Sequence, residues 1–505
     1  MQLTFLSKST RRRNRLTQLV LLQLLQSACW VSYAGAEVIV EHQQHYRASQ
    51  SLSDYVAMVL QRNDLSFTLQ DQRRLTEMDL ESARIPFEMQ WKPLSSMDFG
   101  GDLQSQTLGV ELNKRTVFGT TMALGYVNQK FDSGVSRAHD TSRRTYLRLS
   151  QGLFRRWGDA YNRSSLTKAE LRAEQRSLAI KEQSQQLMLD ASQVYYGYVL
   201  SLLSIDTSTH SLERSQQSLE AAKARQKIGL VSKMDVYRAE LAVLDAQSVL
   251  EGQVRNSQRQ RELLYEMVGS APTERLQTAS DILALKPDYE DMWLDEGLLE
   301  NRNDWRAHRL DMEISRLDLY IAKRDTLPDV SLNVSLQDSA SGSSFDSLSN
   351  NQDSRWSVNL TYNYASDQRE KRNTLSRQQI QRQQLQRDSA TLKRRIFREA
   401  REAIEDLQVL EHQRSFSVEK LTQAKNAVQL AQIRYQRGLS TNLDVLDALA
   451  VLAEAEIRIK RDIADYNLSA LRMARTHGVL GLQWIRHAES GGELALAAIQ
   501  CCEAD

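Results

Sequence analysis

Glycine, proline and cysteine are all scarce in this chain, which has 20, 5 and 3 of them among 505 residues. So few turn-forming residues, with 26% charged residues, are typical of long helices rather than of compact mixed domains. Cys29 stands near the N-terminus, and Cys501 and Cys502 are adjacent, which predicts neither a disulfide framework nor a zinc site. The eight histidines show no HExxH spacing and no glycine-rich phosphate loop occurs, so we expect no enzyme, no cofactor and no metal site.

Acidic and basic residues nearly balance, and no long apolar run follows the N-terminal segment. The formal net charge is +1, although residues 1–36 hold five basic residues and no acidic one, so the rest of the chain is mildly acidic. A strong positive charge is the usual mark of a nucleic-acid-binding protein, and we therefore expect no nucleic-acid partner. After residue 36 no stretch reaches about 18 consecutive apolar residues, so the sequence predicts no membrane-spanning helix.

The N-terminal segment has the pattern of a signal peptide. A basic region, Arg11–Arg15, precedes an apolar stretch, Leu16–Leu25, and Ala34-Gly35-Ala36 is a small-residue cleavage site. This order predicts a signal peptide at 1–36 and a mature chain that starts at Glu37.

This segment has two alternative interpretations. A membrane anchor is disfavoured because the apolar stretch is too short and too polar to span a bilayer. Lipidation at Cys29 is the second alternative, but Gln26 stands where a lipidation signal carries an aliphatic residue.

One short motif occurs twice in the chain. Residues 229–236 read GLVSKMDV, and residues 438–445 read GLSTNLDV, 209 positions later. Each copy follows a long segment with almost no glycine or proline, Asp159–Ile228 in the first case and Asp367–Arg437 in the second. Such segments predict helices on the order of 100 Å long, each of which reverses at a tight tip. We therefore expect a duplicated architecture.

Each half also contains two stretches in which apolar and polar residues alternate. These strand pairs are predicted at about 117–154 and 329–364, whereas residues 87–106, which include Pro93 and Gly100-Gly101, are interpreted as irregular. Strands with one apolar and one polar face are typical of a membrane β-barrel with a wet interior, or of a soluble half-buried hairpin. Four strands cannot close a barrel, so a barrel would need several copies of the chain.

Several short motifs, in the same order along the chain, are similar to those of one known family. They are Asn63-Asp64-Leu65, Leu149-Ser150-Gln151-Gly152-Leu153-Phe154, Asn301-Arg302-Asn303-Asp304, Leu327-Pro328-Asp329-Val330-Ser331-Leu332, and Tyr435-Gln436-Arg437-Gly438 with Leu443-Asp444-Val445-Leu446-Asp447-Ala448. With these motifs, the duplication and the leader, the chain resembles the TolC family of outer-membrane efflux and secretion channels over about residues 50–480.

The resemblance implies a mainly α fold with a β-barrel part, in which a strand–long-helix repeat is duplicated. Three chains would form a 12-stranded barrel in the outer membrane of a Gram-negative bacterium, four strands from each, on a long α-helical periplasmic tunnel. The implied partners are outer-membrane lipid, two further copies of the chain, a periplasmic adaptor (membrane fusion protein), and an inner-membrane pump or ABC transporter. The implied function is a passive, gated exit duct of a tripartite efflux or type I secretion system. The alternative is a non-pore periplasmic or surface coiled-coil scaffold or adhesin.

The resemblance also implies a constriction at the tips. Asp444 and Asp447 share a helix face and would form two acidic rings in a trimer, which select for cations.

In the family, a Tyr and an Arg of the second tip hold an Asp of the first tip. Tyr435 and Asp235 stand at the Tyr and Asp positions, whereas Ser440 occupies the Arg position and cannot form a bidentate ion pair. We therefore expect a hydrogen bond between Tyr435 and Asp235, or the use of another basic residue, Lys233 or Arg437.

The tips are also the expected docking site of the adaptor. Gly229 and Gly438 are predicted to reverse the chain with a positive φ angle. The residues expected to meet the adaptor are Gly229, Leu230, Val231, Ser232, Gly438, Leu439, Ser440 and Thr441.

The sequence thus predicts five segments. They are the signal peptide 1–36, a first repeat 37–269, a connector 270–294, a second repeat 295–480 and a loosely ordered tail 481–505.

Overall fold

The computed structural model describes residues 51–100, 103–133, 139–270, 282, 284–286, 296–342 and 352–490. The predicted signal peptide, Cys29, most of the predicted connector and residues 491–505 lie outside this part. The described chain is mainly helical and carries one sheet.

Ten α-helices are described. They are α1 (Leu52–Arg62), α2 (Asp64–Arg84), α3 (Asp159–Asn162), α4 (Ser164–Lys227), α5 (Lys233–Val268), α6 (Glu296–Asn301), α7 (Asn303–Asp325), α8 (Arg369–Gln436), α9 (Asn442–Thr476) and α10 (Leu482–Ser490). With 64 and 68 residues, α4 and α8 are each roughly 100 Å long. The two predicted long helices are therefore present, and each returns through a second long helix, α5 or α9.

The first two helices meet at Asn63. Asn63 has an extended backbone, and its side chain accepts a hydrogen bond of 2.8 Å from the Leu65 amide. It also donates a hydrogen bond to the Met267 carbonyl at 2.6 Å. Asn63 therefore ends α1, caps α2 and ties both to the end of α5.

The sheet has six antiparallel strands in sequence order. They are β1 (Met89–Gly100), β2 (Leu103–Arg115), β3 (Thr120–Ser133), β4 (His139–Gly152), β5 (Asp329–Gly342) and β6 (Gln352–Asn363). The predicted pairs at 117–154 and 329–364 correspond to β3–β4 and β5–β6. The prediction that 87–106 is irregular is wrong, and so is the prediction of four strands per chain. Pro93 lies within β1, an edge strand of this sheet, which is where proline is tolerated.

The two faces of the sheet differ sharply. One row of paired residues on the apolar face begins and ends with exposed tryptophans, and it reads Trp91–Leu112–Leu124–Leu147–Leu336–Trp356. The neighbouring row on the other face is polar, and it reads Lys92–Glu111–Gly125–Tyr146–Gln337–Arg355. The sheet therefore has the alternation expected of a wall between an apolar and an aqueous phase.

We call the apolar residues of the first face the apolar band. They are Met89, Trp91, Met97 and Phe99 on β1; Leu108, Val110 and Leu112 on β2; Met122, Leu124 and Tyr126 on β3; Leu147 and Leu149 on β4; Val330, Leu332, Val334 and Leu336 on β5; and Trp356, Val358, Leu360 and Tyr362 on β6.

The main core lies where α1 and α10 pack on the long helices. Tyr55 and Val59 of α1 are fully buried against residues of α4, α5 and α9, and Ile485 of α10 is fully buried in the same cluster. The Glu489 carboxylate of α10 accepts a hydrogen bond of 2.8 Å from the Leu52 amide, which begins α1. The prediction of a loosely ordered tail is therefore wrong for residues 482–490, because their apolar face completes this core.

Neither a membrane-spanning helix nor a metal site is found among the described residues. None of the described helices is both long enough and apolar enough to cross a membrane. Within the described ranges, no group of three or more His, Cys, Asp or Glu residues could hold a metal ion.

Candidate functional site at the two helix tips

The two copies of the repeated motif fold into the same backbone turn. In the first tip, the Leu230 amide donates to the Arg225 carbonyl at 2.9 Å; in the second, the Leu439 amide donates to the Arg434 carbonyl, also at 2.9 Å. The glycine before each leucine has a φ angle near +75°: 77° at Gly229 and 74° at Gly438. This is the Schellman ending of a helix, and only glycine adopts it without strain.

The helix that leaves each tip begins with the same capping box. The Ser232 amide donates to Asp235 Oδ2 at 3.0 Å, and the Asp235 amide donates to Ser232 Oγ at 3.3 Å. In the second tip, Thr441 and Asp444 exchange the corresponding bonds, at 2.9 Å and 3.4 Å. Asp235 and Asp444 therefore have a structural role, because they satisfy amides that a helix N-terminus leaves without partners.

Ser440 supports the same carboxylate. Its hydroxyl donates to Asp444 Oδ2 at 2.6 Å. This bond, with those from the Thr441 amide and hydroxyl, lowers the pKa of Asp444 below its ordinary value near 3.8. Asp444 and Asp447 both face solvent, as the predicted acidic rings require.

Tyr435 is buried at the junction of the two tips, but it does not bond to Asp235. It belongs to an apolar cluster with Val428, Val445 and Leu449, against which Val231 of the first tip also packs. Its hydroxyl has no hydrogen-bond partner among the described residues. The expected hydrogen bond between Tyr435 and Asp235 is therefore absent from this structure, in which the Asp235 carboxylate is held by Ser232.

Arg225 makes the contact with Tyr435 instead. Its guanidinium lies over the Tyr435 ring, 3.9 Å from the ring centre, and its Nη1 donates to the Tyr435 carbonyl at 2.6 Å. Neither Lys233 nor Arg437, the two alternatives predicted from the sequence, makes this contact; both are exposed. The sequence offered one signal for Arg225, its alignment with Arg434 in the repeat, but not the direction in which its side chain reaches.

Two further polar contacts join the same two hairpins, and both use residues that precede Arg225 on α4. Ser218 Oγ donates to Asn442 Oδ1 at 3.2 Å, and Arg214 Nη2 pairs with Glu456 Oε2 at 3.0 Å. Ser218 and Asn442 are buried, and the Arg214–Glu456 pair is about one-quarter exposed. We call these contacts, together with Arg225–Tyr435, the hairpin seam, because each joins the hairpin α4–α5 to the hairpin α8–α9.

The residues predicted to meet an adaptor are not equally available. Leu230 and Leu439 are 71% and 67% exposed, although both are large and apolar. Val231 is half-buried in the Tyr435 cluster, whereas Ser232 and Thr441 are the helix caps. The structure therefore brings two leucines, one from each tip, to the surface.

Comparison with known proteins identifies the fold. Residues 295–478 match the family model described as "Outer membrane efflux protein". No curated protein sequence matches the chain.

Several solved structures are similar over most of the chain. The outer membrane protein VceC from Vibrio cholerae is 16% identical, with a TM-score of 0.64 over 85% of this chain and 96% of that one. The MtrE outer membrane channel from Neisseria gonorrhoeae is 15% identical, with a TM-score of 0.62 over 86% and 90%. CusC is 15% identical, with a TM-score of 0.67 over 86% and 95%. The resemblance predicted from the sequence is thus confirmed: residues 295–478 match the model of the outer membrane efflux protein family, and the described chain has the fold of the solved outer-membrane channels.

Proposed function

We propose that this protein is one subunit of a gated exit duct in the outer membrane, which acts with a periplasmic adaptor and an inner-membrane transporter in efflux or type I secretion. The observation that carries this proposal is one chain in which a sheet with an apolar face and a polar face joins two long helical hairpins. An apolar outer face suits lipid, and a polar inner face suits water. The long helices then extend into the periplasm, where the tips reach the adaptor.

A single chain leaves apolar surface uncovered on the helices α5 and α8. On α5, the residues Met234, Tyr237, Leu241 and Leu244 follow one helix face and are each 58–61% exposed. On α8, Val409, Phe416 and Leu430 recur at multiples of seven residues and are 57–73% exposed. Helices of this length need neighbours to cover such stripes. Packing of α5 against α8 of another copy would bury both, which supports a closed ring of three chains.

The hairpin seam supports a gate. If the tips separate when the duct opens, the contacts that join α4–α5 to α8–α9 must break or slide. Of the three seam contacts, Arg225–Tyr435 lies closest to the first tip, because Arg225 is the last of the three α4 residues before Gly229, and it therefore opposes the first step of opening. Asp447, together with Asp444, supplies the acidic rings at the constriction, which favour cations.

Leu230 and Leu439 supply the adaptor surface. Their side chains are exposed on rigid, capped turns, and an apolar hairpin of a partner could cover both at little conformational cost. Leu230 follows Arg225 by five residues and Leu439 follows Tyr435 by four, so docking and gating act on neighbouring residues of the chain.

Reconstitution of the purified protein in planar bilayers tests the proposal. We expect the purified protein to form trimers and to give discrete single-channel currents. In a separate experiment, cells that lack the protein should show a block of export. A heat-stable oligomer without conductance would instead support a coiled-coil scaffold or adhesin and would refute the duct.

A further inference from the structure

The hairpin β1–β2 belongs to the same wall as the other four strands. Its residues Trp91 and Leu112 continue the apolar row that runs through β3 to β6, with strand pairing over the full length of β1. On the polar face, the Tyr146 hydroxyl of β4 donates a hydrogen bond to the Glu111 carboxylate of β2. The bond crosses β3 at Gly125, where a Cβ would collide with the Tyr146 ring. Glycine at this position thus lets β4 hold β2 directly.

The apolar band also shows that all six strands share one tilt. The row of paired residues that begins at the middle of the band on β1 reads Leu94–Gly109–Val127–Arg144–Ser339–Asp353. The middle of the band on the successive strands lies instead at Leu94, Val110, Leu124, Arg148, Asn333 and Asn359. The separation between row and band grows from β1 to β5, where it reaches six residues, and it is again six residues at β6.

This drift gives an angle. Six residues correspond to about 20 Å along a strand, and five steps between strands to about 24 Å across the sheet. The apolar band therefore lies parallel to the membrane plane only if the strands are tilted by roughly 40° from the membrane normal, which is within the range of transmembrane barrels. On β1 and β2 the middle of the band follows the same drift as on β3 to β6, so the same strand tilt brings the apolar residues of all six strands to one height in the membrane.

The outer edges of β1 and β6 are compatible with each other. No strand pairs with either edge within the described ranges. An even number of antiparallel strands makes β1 and β6 run in opposite directions, so β6 of one copy can pair with β1 of the next in an antiparallel ladder. Pro93 has no N–H to donate, and it removes at most one bond of that ladder.

We propose that β6 of each copy pairs with β1 of a second copy of this chain, so that three copies close an 18-stranded barrel rather than a 12-stranded one. This inference rests on the proposed function. Because barrel diameter grows about linearly with strand number, the opening would be about 1.5 times as wide as that of a 12-stranded barrel. Continuing the drift by one step places Ser96 of one copy opposite Ser357 or Asn359 of its neighbour, with all three on the polar face.

Cysteine cross-linking tests the seam in the full chain, in a background in which Cys501 and Cys502 are serine. One variant pairs Ser96→Cys with Ser357→Cys, and a second pairs Ser96→Cys with Asn359→Cys. The matched control pairs Ala123→Cys with Thr361→Cys, because β3 would meet β6 in this register if only four strands from each copy entered the wall. Oxidised membranes are analysed by denaturing electrophoresis without reductant.

We expect covalent trimers with at least one Ser96→Cys pair and none with the Ala123→Cys pair. Cross-linking through Ala123→Cys, or through neither position, overturns the 18-stranded barrel. Conductance of the parent protein is measured separately in bilayers. A conducting trimer that cross-links through Ala123→Cys refutes only the strand number, whereas a parent that forms no channel refutes the proposed function.

Discussion

Replacement of Arg225 by alanine is expected to open the duct. The side chain makes two contacts with Tyr435: the guanidinium lies 3.9 Å from the ring centre, and Nη1 donates to the main-chain carbonyl at 2.6 Å. Both contacts join the first hairpin to the second. Alanine at 225 removes both and leaves the Schellman turn intact, because that turn uses only the main-chain carbonyl of Arg225.

The size of the effect follows from these contacts. A cation–π contact at a half-exposed site contributes about 0.5–1 kcal/mol, and a hydrogen bond from a charged donor contributes about 1.5 kcal/mol at the lower end of its range. The closed state of each chain would therefore lose about 2 kcal/mol. Since 1.4 kcal/mol is a factor of ten, the ratio of open to closed rises roughly 30-fold for each seam.

Single-channel recording at neutral pH measures this change as open probability. Arg225→Lys keeps the charge but loses the planar stack and the fork, so we expect an intermediate value. Tyr435→Phe should behave as the parent, because the Tyr435 hydroxyl has no partner in the described part of the chain. Lys227→Ala is the matched control, since Lys227 is an exposed basic residue of the same tip. If Arg225→Ala and Lys227→Ala both gate like the parent, or if Tyr435→Phe opens the channel as Arg225→Ala should, the seam is not the lock.

Three further results are expected. Asp444→Asn with Asp447→Asn should abolish cation selectivity, measured as the reversal potential in a salt gradient. Because hydrogen bonds lower the pKa of Asp444, the cation selectivity of the parent should persist as the pH falls to 3.8 and fade only below that pH. Leu230→Glu with Leu439→Glu should abolish export in cells while conductance in bilayers is retained, and normal export would remove these leucines from the adaptor surface. Arg302→Ala should lower the free energy of unfolding at neutral pH by about 2 kcal/mol, because Arg302 pairs with Asp304 at 2.7 Å and with Glu399 at 3.0 Å. Burial raises the pKa of Asp304, but the ion pair with Arg302 outweighs burial and lowers that pKa overall. The stabilisation is therefore present above pH 3.8, the ordinary value, and is lost as the pH falls through the lower pKa of the folded state. Thermal unfolding of parent and variant should accordingly differ less at pH 3 than at pH 7.

The features that sequence predicts well here are local ones. The long helices follow from segments without glycine or proline, and the tips follow from a repeated motif whose glycine, cap and Asp act within eight residues of each other. The pairs β3–β4 and β5–β6 follow from simple alternation. In each case the residues that determine the structure are neighbours in the chain.

What the sequence did not predict depends on partners far away in the chain. On β1, Pro93 and Ser95 interrupt the alternation, and the strand becomes recognisable only when its register with β2 places Trp91 in a row that ends at Trp356. Helix α10 has an apolar face formed by Trp484, Ile485 and Ala488, but the surface that buries this face comes from α1 and the long helices, so the local sequence predicts a loose tail instead. Non-local pairing of this kind leaves little trace in a single stretch of sequence.

The two tips show how a duplicated element can acquire two roles. Their backbones are held by the same hydrogen bonds, so the difference must lie in the side chains at matching positions. Arg434 is the repeat equivalent of Arg225, but it lies near Asp444 and favours its charged form. The equivalent of Tyr435 is Gln226, which offers no ring for a guanidinium to stack on. A cation–π contact of this kind can therefore form only between the arginine of the first hairpin, Arg225, and the tyrosine of the second, Tyr435. In the proposed gate, serine at 440 would not leave the closed state without a cation, because the guanidinium comes from the other hairpin. The seam accordingly predicts that a ring of three such chains opens by movement of α8–α9 away from α4–α5.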